Sequence, residues 1–519
     1  MVNRDIFGLN AVQRQSLVIS LTAFFTSLLL IALVSVLILI SFRGTAYFWP
    51  EPIYKVTGTL PDGSRFSVLA NIFEDASEED ITLKYSDVNH PFGFQKQIDR
   101  EQLLSANLAL DSAEIKLLDG RRVMAIPEHI VVPSKPPQPL DNIGAVLQDV
   151  ALITAQIEDL NTEHLAPIHE ALSQFDKRDV VEDAPAREKL VAAFNEYQKR
   201  VEALESTRAQ YRLLVSFADG SPFIIPISSI QDVDFVSRLT TFEKWQVVFS
   251  EISVFLSDSP KQANTSGGVF PALFGTVLMV FLMTIIVTPF GVLAAIYLSE
   301  YAPNTALTTI IRVSVSNMAG VPSIVYGVFG LGFFVYTLGG SIDELLFSDT
   351  LPAPTMGSPG VFWAALTMAV LTLPVVIVAT EEGLRRVPDG LKAGSYALGA
   401  TKIETIIRTV LPIASPGIMT GVILAIARAA GEVAPLMLVG AVKFAPTLPI
   451  DGEFPYLHLD RQFMHLGVLI YDGAFHSQTD GKSASMMFAA CLLLLIVVFV
   501  LNILAVLLRA RLRKRYLKG

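Results

Sequence analysis

Charged side chains are absent from five long stretches of the chain: residues 15–42, 262–299, 313–342, 350–380 and 483–508. Each is longer than the run of about 20 residues that a helix needs to cross about 30 Å of hydrocarbon. A sixth apolar segment, Ile413 to Val442, is interrupted only by Arg428 and Glu432. The pattern predicts six membrane-crossing helices. The apolar stretch Leu17 to Phe42 is too long for a signal-peptide core of about 7–15 residues, and no clean small-residue cleavage site follows it. It reads as a retained first helix over 16–42, after a short N-terminus at 1–15.

Between the first two predicted crossings the pattern changes. Three stretches alternate apolar and polar residues about an Asp-Gly dipeptide: Tyr54–Ala70 around Asp62-Gly63, Ile115–Val132 around Asp119-Gly120, and Leu213–Ile230 around Asp219-Gly220. Asp-Gly between alternating strands favours a tight hairpin, because glycine takes positive φ without strain. Pro127 and Pro226 follow the second and third turns at similar spacing, a weak internal repeat. Between these two hairpins Ile143, Leu147, Val150, Ile153 and Ile157 recur at helical steps, as do Leu190, Phe194, Val201 and Leu204. The polar segment Lys177 to Asp183 separates them, so a helical hairpin is expected at about 140–212, its stripe a packing face. The fold class is therefore a mainly α membrane protein of six transmembrane helices, with a mixed α/β insertion at 43–265.

Charge orients the chain. Residues 44–265 hold 34 acidic and 20 basic side chains, whereas the remainder holds 15 and 19. The basic surplus gathers at the C-terminus, in Arg509, Arg511, Arg513, Lys514, Arg515 and Lys518. Positive residues stay on the cytoplasmic side of a membrane, so both termini, the tail 511–519 and the segment 381–411 are assigned inside, and the insertion is assigned to the periplasm. Beside a membrane helix the basic tail does not indicate nucleic-acid binding. The acidic runs Glu74-Asp75 and Glu78-Glu79-Asp80 read as solvated surface without the spacing of a calcium loop. The lone cysteine, Cys491, excludes an intrachain disulfide.

Candidate chemistry is sparse. No G-x-x-x-x-G-K-[ST] sequence occurs, so ATP is not cradled in that way. His458, His465 and His476 lack metal-ligand spacing and read as loop residues. Arg428 and Glu432, four residues apart in an apolar segment, are expected on one helix face. A charge at mid-membrane costs at least about 2.5–3.5 kcal/mol on insertion scales. Such a pair is either a structural ion pair or part of a substrate path, where the guanidinium fork matches an oxyanion. Arg312, near Ser314, Ser316 and Asn317, is a third candidate, or else a helix-end anchor. In the segment 381–412, a short helix, Gly399 and a second helix lead into Pro412. Leu391, Ala397 and Leu398 there form an apolar ridge suited to docking.

That segment, with its core SYALGATKIETIIRTVLP, resembles the coupling loop of ABC importer permeases, and most closely the form found in phosphate permeases. GGVFPALFGTV at 267–277, PFGVLAAIYLSEYAP at 289–303, GVPSIVYGVFGL at 320–331 and GVILAIARAAGEVAPLM at 421–437 extend the resemblance in order over 266–510. Two positions depart from the pattern: Ala393 stands where the family carries the loop glutamate, and Thr409 where it carries isoleucine. Gly399 and Leu411-Pro412 are kept. The resemblance implies a type I ABC importer permease fold, a multi-pass location in the cell inner membrane, and a role as the transmembrane subunit of an inorganic phosphate importer. It implies Arg428 and Glu432 on the substrate path, where Arg312 is the third candidate, and places Leu391, Ala397, Leu398 and Gly399 in the loop that couples to the ATPase. The expected partners are a second permease subunit, an ATPase dimer, a periplasmic phosphate-binding protein and membrane lipid. No catalytic residue, metal or cofactor is expected on this chain; ATP is used by the partner. Permeation of sulfate or molybdate, a membrane-anchored sensor or scaffold, and a passive channel remain as other readings. The insertion lies outside the resemblance.

Overall fold

The computed structural model describes residues 11–59, 63–74, 80–133, 135–178, 184–261, 266–348, 352–452, 454–475 and 481–517. Asp62, Asp75, Glu78-Glu79, Asp183, His476 and Lys518 lie outside the described residues. The chain divides into two compact units, one of Met1–Phe48 with Ile252–Gly519 and the other of Trp49–Glu251.

The first unit holds six helices long and apolar enough to cross a membrane: Gln15–Ala46, Phe270–Tyr301, Ser323–Leu346, Val361–Arg385, Lys402–Gly431 and Ser485–Arg511, here the first to sixth spans. They fall on the six apolar stretches, two of which, 313–342 and Ile413 to Val442, are broken. The stretch 313–342 is not one helix. A separate helix, Ala306–Met318, ends before Gly320 and Pro322, and the third span starts at Ser323. Proline cannot sit in a helix interior without losing a backbone hydrogen bond, so this sequence breaks there.

The core of this unit lies among the second, fourth and fifth spans, where Met279, Met283, Val287, Met368, Ala425 and Ala429 are buried. Small residues bring these helices together. A Cβ on Gly291 would lie 2.6 Å from Val376 Cγ1, and one on Gly417 2.6 Å from Gly383 Cα. Close backbone approach of this kind is how helices pack where lipid removes the hydrophobic drive between them. The first span, by contrast, is exposed along its apolar length, as expected of a helix surrounded by lipid. It meets the sixth span at Gly44, where a Cβ would fall 2.9 Å from the Phe488 carbonyl oxygen.

The second unit contains two five-stranded antiparallel sheets. In the first sheet β1 (Tyr54–Thr59), β2 (Arg65–Glu74), β3 (Asp80–Ser86), β4 (Phe94–Asp99) and β5 (Leu103–Leu108) run in the order β4-β3-β2-β1-β5. In the second, β6 (Ala113–Leu117), β7 (Arg122–Val131), β8 (Arg212–Ser216), β9 (Pro222–Pro226) and β10 (Ile230–Asp234) run β10-β6-β7-β8-β9. Gly120 and Gly220 close the β6–β7 and β8–β9 turns at φ 88° and 83°, the left-handed region that favours glycine. Ala113, Ile115 and Leu117 face inward on alternate positions of β6. Ile115 and Leu117 share a core with Val146 and Val150 of a helix at Ile143–Asp159. That helix runs through a π-helical turn, Leu160–Leu165, into Ala166–Arg178, and a second helix, Ala184–Arg208, packs back along it.

Candidate substrate path and coupling face

The apolar segment Ile413 to Val442 does not form one helix. The fifth span stops at Gly431, Glu432 is extended at φ −82° and ψ 135°, and a short helix resumes at Ala434–Val439. Gly440 then turns at φ 154° into Ala441–Val442, which pairs in parallel with Phe463–Met464. The expectation that Arg428 and Glu432 share a continuous helix face is therefore corrected. Arg428 stands in the last turn of the helix, where its charge complements the carbonyl end of the helix dipole. Glu432 folds back from the unwound residue beyond, and its Oε1 lies 3.5 Å from Arg428 Nε. Glycine before the acid and proline after it, at Gly431 and Pro435, set this break.

Non-helical backbone at membrane depth is tolerated only where protein or water satisfies it. Here the third span supplies the wall. A Cβ on Gly327 would lie 2.7 Å from Pro435 Cα. Tyr326, one residue earlier, lies within electrostatic reach of Arg428 and donates its hydroxyl to the Met318 carbonyl at 2.7 Å. Arg428 and Glu432 both remain partly accessible, with side chains 30% and 23% exposed. The pair is thus a partly accessible cation at a helix break, its terminal nitrogens without a hydrogen-bond partner among the described residues. Tyr326 was not a candidate from sequence, since a tyrosine in an apolar run carries no signal of its own.

The structure gives Arg312 other partners. Its Nε lies 3.3 Å from Glu381 Oε1 and its Nη2 donates to the Leu298 carbonyl at 2.6 Å. It ties the helix Ala306–Met318 to the ends of the second and fourth spans.

The segment expected to dock a partner begins later than the pattern predicts, because the fourth span runs on to Arg385 and buries Glu381. A helix at Asp389–Ala397 follows, here the coupling helix. It ends as Gly399, at φ 85°, donates to the Tyr396 carbonyl and Ala400 donates to that of Ser395. A glycine in this conformation is the usual way to satisfy the last carbonyls of a helix. The next helix starts at once, with Thr401 and Glu404 forming a capping box. Leu391, Tyr396 and Leu398 are exposed, Leu398 to 90%, and Ala397 is exposed beside them. Leu391 and Leu398 are seven positions apart and share one side, while Ala397 is turned by about 100° from Leu398.

Sequence reasoning missed what holds this helix. Lys392 Nζ lies 2.6 Å from Glu300 Oε1. Lys402 donates to the Glu300 carbonyl and sits 4.4 Å from the centre of the Tyr301 ring. Both lysines thus grip the π-helical end of the second span, Tyr297–Tyr301.

Two of the three loop histidines, His458 and His465, are among the described residues. His458 Nε2 pairs with Asp451 at 2.9 Å. His465 stands in the short loop between Met464 and Leu466 but is buried, its Nδ1 accepts from the Gly467 amide at 3.1 Å, and burial pushes its pKa down to about 4. Among the described residues no group of three or more His, Cys, Asp or Glu side chains is arranged to hold a metal ion.

Residues 287–514 match the family model described as "Binding-protein-dependent transport system inner membrane component". Over 244 residues the chain is 35% identical to the phosphate transport system permease protein PstA 1 of Mycobacterium tuberculosis, which covers 47% of this chain and 71% of that protein. It is 33% identical over 255 residues to the phosphate transport system permease protein PstA of Yersinia pestis, covering 49% of this chain and 76% of the relative. Among solved structures, an inward-facing MetNI methionine ABC transporter aligns with 47% of this chain and 94% of its own at 21% identity and a TM-score of 0.34.

Proposed function

We propose that this chain, which belongs to the family of binding-protein-dependent transport system inner membrane components and is a multi-pass permease subunit of an ABC transport assembly, carries inorganic phosphate past Arg428 and Glu432. The observation that supports this most is the Arg428–Glu432 pair at the break between Gly431 and Ala434. Discontinuous helices near the middle of the membrane are where transporters place their substrate sites. Arginine stays charged at any physiological pH, and its planar fork matches two phosphate oxygens at once. The 3.5 Å contact to Glu432 uses Nε, which leaves the terminal nitrogens to an anion.

Glu432 adds a basis for choice among oxyanions. A carboxylate repels a fully ionised anion such as sulfate. Phosphate at neutral pH still carries a proton and donates it in a hydrogen bond to that carboxylate. The pair therefore fits an anion that brings its own donor, as a site built to accept a hydrogen bond discriminates against a ligand lacking one. The phosphate-permease relatives named above point the same way.

In this reading a periplasmic binding protein delivers phosphate from the side on which the insertion lies. An ATPase pair docks on the exposed ridge of Leu391 and Leu398, with Ala397 beside it and Gly399 setting the sharp exit of the coupling helix. Nucleotide-driven movement of that helix biases the spans between two states of access, each ligand favouring the state that it binds better. The permease itself makes and breaks no covalent bond.

The test is ATP hydrolysis and labelled-phosphate uptake by the purified complex in lipid, wild type beside Arg428→Ala. The expected result is stimulation by phosphate with its binding protein, none by sulfate or molybdate, and loss of uptake in the variant while the complex stays assembled. Wild-type uptake by Arg428→Ala removes the pair from the path. Stimulation by sulfate overturns the choice of phosphate, and the absence of any co-purifying ATPase favours a membrane-anchored sensor.

A further inference from the structure

The helix Thr241–Ser257 leads towards the second span and carries its aromatic residues on the wrong side for a soluble domain. Phe242, Trp245, Phe249 and Leu256 are 71%, 49%, 67% and 37% exposed. At about 100° per residue the four fall within an arc of about 60°. Val248 and Phe255, turned by about 60–140° from these residues, are buried to 6% and 4% exposure. The stripe is about 21 Å long at 1.5 Å per residue. Gln246, Ser250 and Ser253 border it. Hydrophobic periodicity alone would make this the core-facing side, yet it is the face left open.

We propose that this helix lies in the lipid–water interface, with Phe242, Trp245, Phe249 and Leu256 inserted among the headgroups and upper acyl chains. Two observations fix lipid as the occupant. First, the C-terminal turn of the helix sits where spans leave the hydrocarbon. The Phe255 ring lies 5.8 Å from that of Tyr47 and 5.2 Å from that of Phe48, the two residues that follow the first span directly. Phe255 also shares a buried cluster with Val269 and Ala272, at the start of the second span, and with Met486 of the sixth. The apolar stripe belongs to the same unbroken helix, Thr241–Ser257. Second, the stripe is rich in the residue type that membranes select there. Trp49, three residues past the end of the first span, is 41% exposed and meets Trp245 edge to face at 5.6 Å. Tryptophan concentrates at membrane–water boundaries, where its apolar body and N–H both find partners. An amphipathic helix with such a face lies along the interface, its binding scaling with the apolar area it buries.

The experiment is tryptophan quenching in the assembled complex in lipid nanodiscs, with bromines placed shallow or deep in the acyl chains, or with iodide in the water. Shallow bromines are expected to quench more strongly than deep ones. Replacing Trp245→Phe should remove about half of the shallow quenching, because Trp49 and Trp245 share the boundary while Trp363 is buried. A second probe avoids dependence on one side chain: Phe242→Cys in a Cys491→Ser background, labelled with a polarity-sensitive fluorophore, should report lipid contact. Quenching of Trp245 by iodide but not by bromolipid would mean a water-facing helix and overturns the proposal. Protection from both quenchers would mean that another protein covers the stripe, which overturns it equally.

Discussion

Removing the Glu300 carboxylate should separate ATP hydrolysis from transport. Lys392 of the coupling helix reaches the second span through this one carboxylate, at 2.6 Å, with side chains only 20% and 11% exposed. At that distance and an effective dielectric constant of about 20, the bare attraction is about 6 kcal/mol. Desolvation and side-chain ordering oppose it, so the coupling measurable between two such residues is about 1–3 kcal/mol. If the pair transmits movement of the coupling helix to the second span, its loss shifts the linkage between the ATPase and the spans by about 5- to 150-fold. Lys402 contacts the Glu300 backbone carbonyl, so Glu300→Gln leaves that contact intact and isolates the carboxylate. The assay is labelled phosphate accumulated per ATP hydrolysed in proteoliposomes. Glu300→Gln and Lys392→Gln should each lower that ratio at least about 5-fold with basal hydrolysis retained, and the double variant should be no worse than either single one. An unchanged ratio in an intact Glu300→Gln complex, or strictly additive losses, would refute the reasoning.

Three further outcomes are expected. Glu432→Gln should weaken the distinction between phosphate and sulfate by about 10-fold or more, read from the two anions' competition for uptake, because an amide no longer repels sulfate. Gly275→Ala should cut the yield of folded protein and lower its midpoint in a thermal aggregation assay, since the new methyl would strike the Met464 carbonyl and overpacking costs about 1–3 kcal/mol. The third concerns pH. Burial disfavours charge throughout the Lys116 cluster, yet Glu251 and Asp234 outweigh it at Lys116 and raise its pKa, and Arg122 and Lys116 outweigh it at Glu251 and lower its pKa; burial prevails at Asp234, which is raised. Glu251 therefore stabilises above its ordinary carboxylate range and loses that as pH falls through its folded value. Lys116 stabilises below its ordinary range and loses that as pH rises. Lys116→Met removes the cation that opposes burial at Asp234, while Arg122 remains beside Glu251, so the variant should lose more stability than wild type as pH rises from the ordinary carboxylate range through the raised folded value of Asp234, measured as protease resistance of the insertion in the full-length protein.

The spans were readable because hydrocarbon excludes charge: a run without Lys, Arg, Asp or Glu is a physical requirement, and the six described spans fall on the six apolar stretches. The three Asp-Gly dipeptides were readable for a similar reason, since few residues fit their turns. The Arg428–Glu432 chemistry was also visible, but its geometry was not. Their spacing of four suits a helix, and only Gly431 hinted that the helix ends between them. Glu300 and Lys392 lie 92 positions apart, and no periodicity connects residues brought together by tertiary packing. The stripe of Phe242, Trp245 and Phe249 fails differently. Its spacing is plain in the sequence, but the same spacing serves a helix packed on a protein core and a helix resting on lipid. A pattern shows which face is apolar, whereas the exposure of that face and the packing of Phe255 against Tyr47 and Phe48 are properties of the fold alone. Residues whose role depends on what lies opposite them are thus the ones that a single sequence leaves undecided, as Glu300 with Lys392 and Trp245 are in this chain.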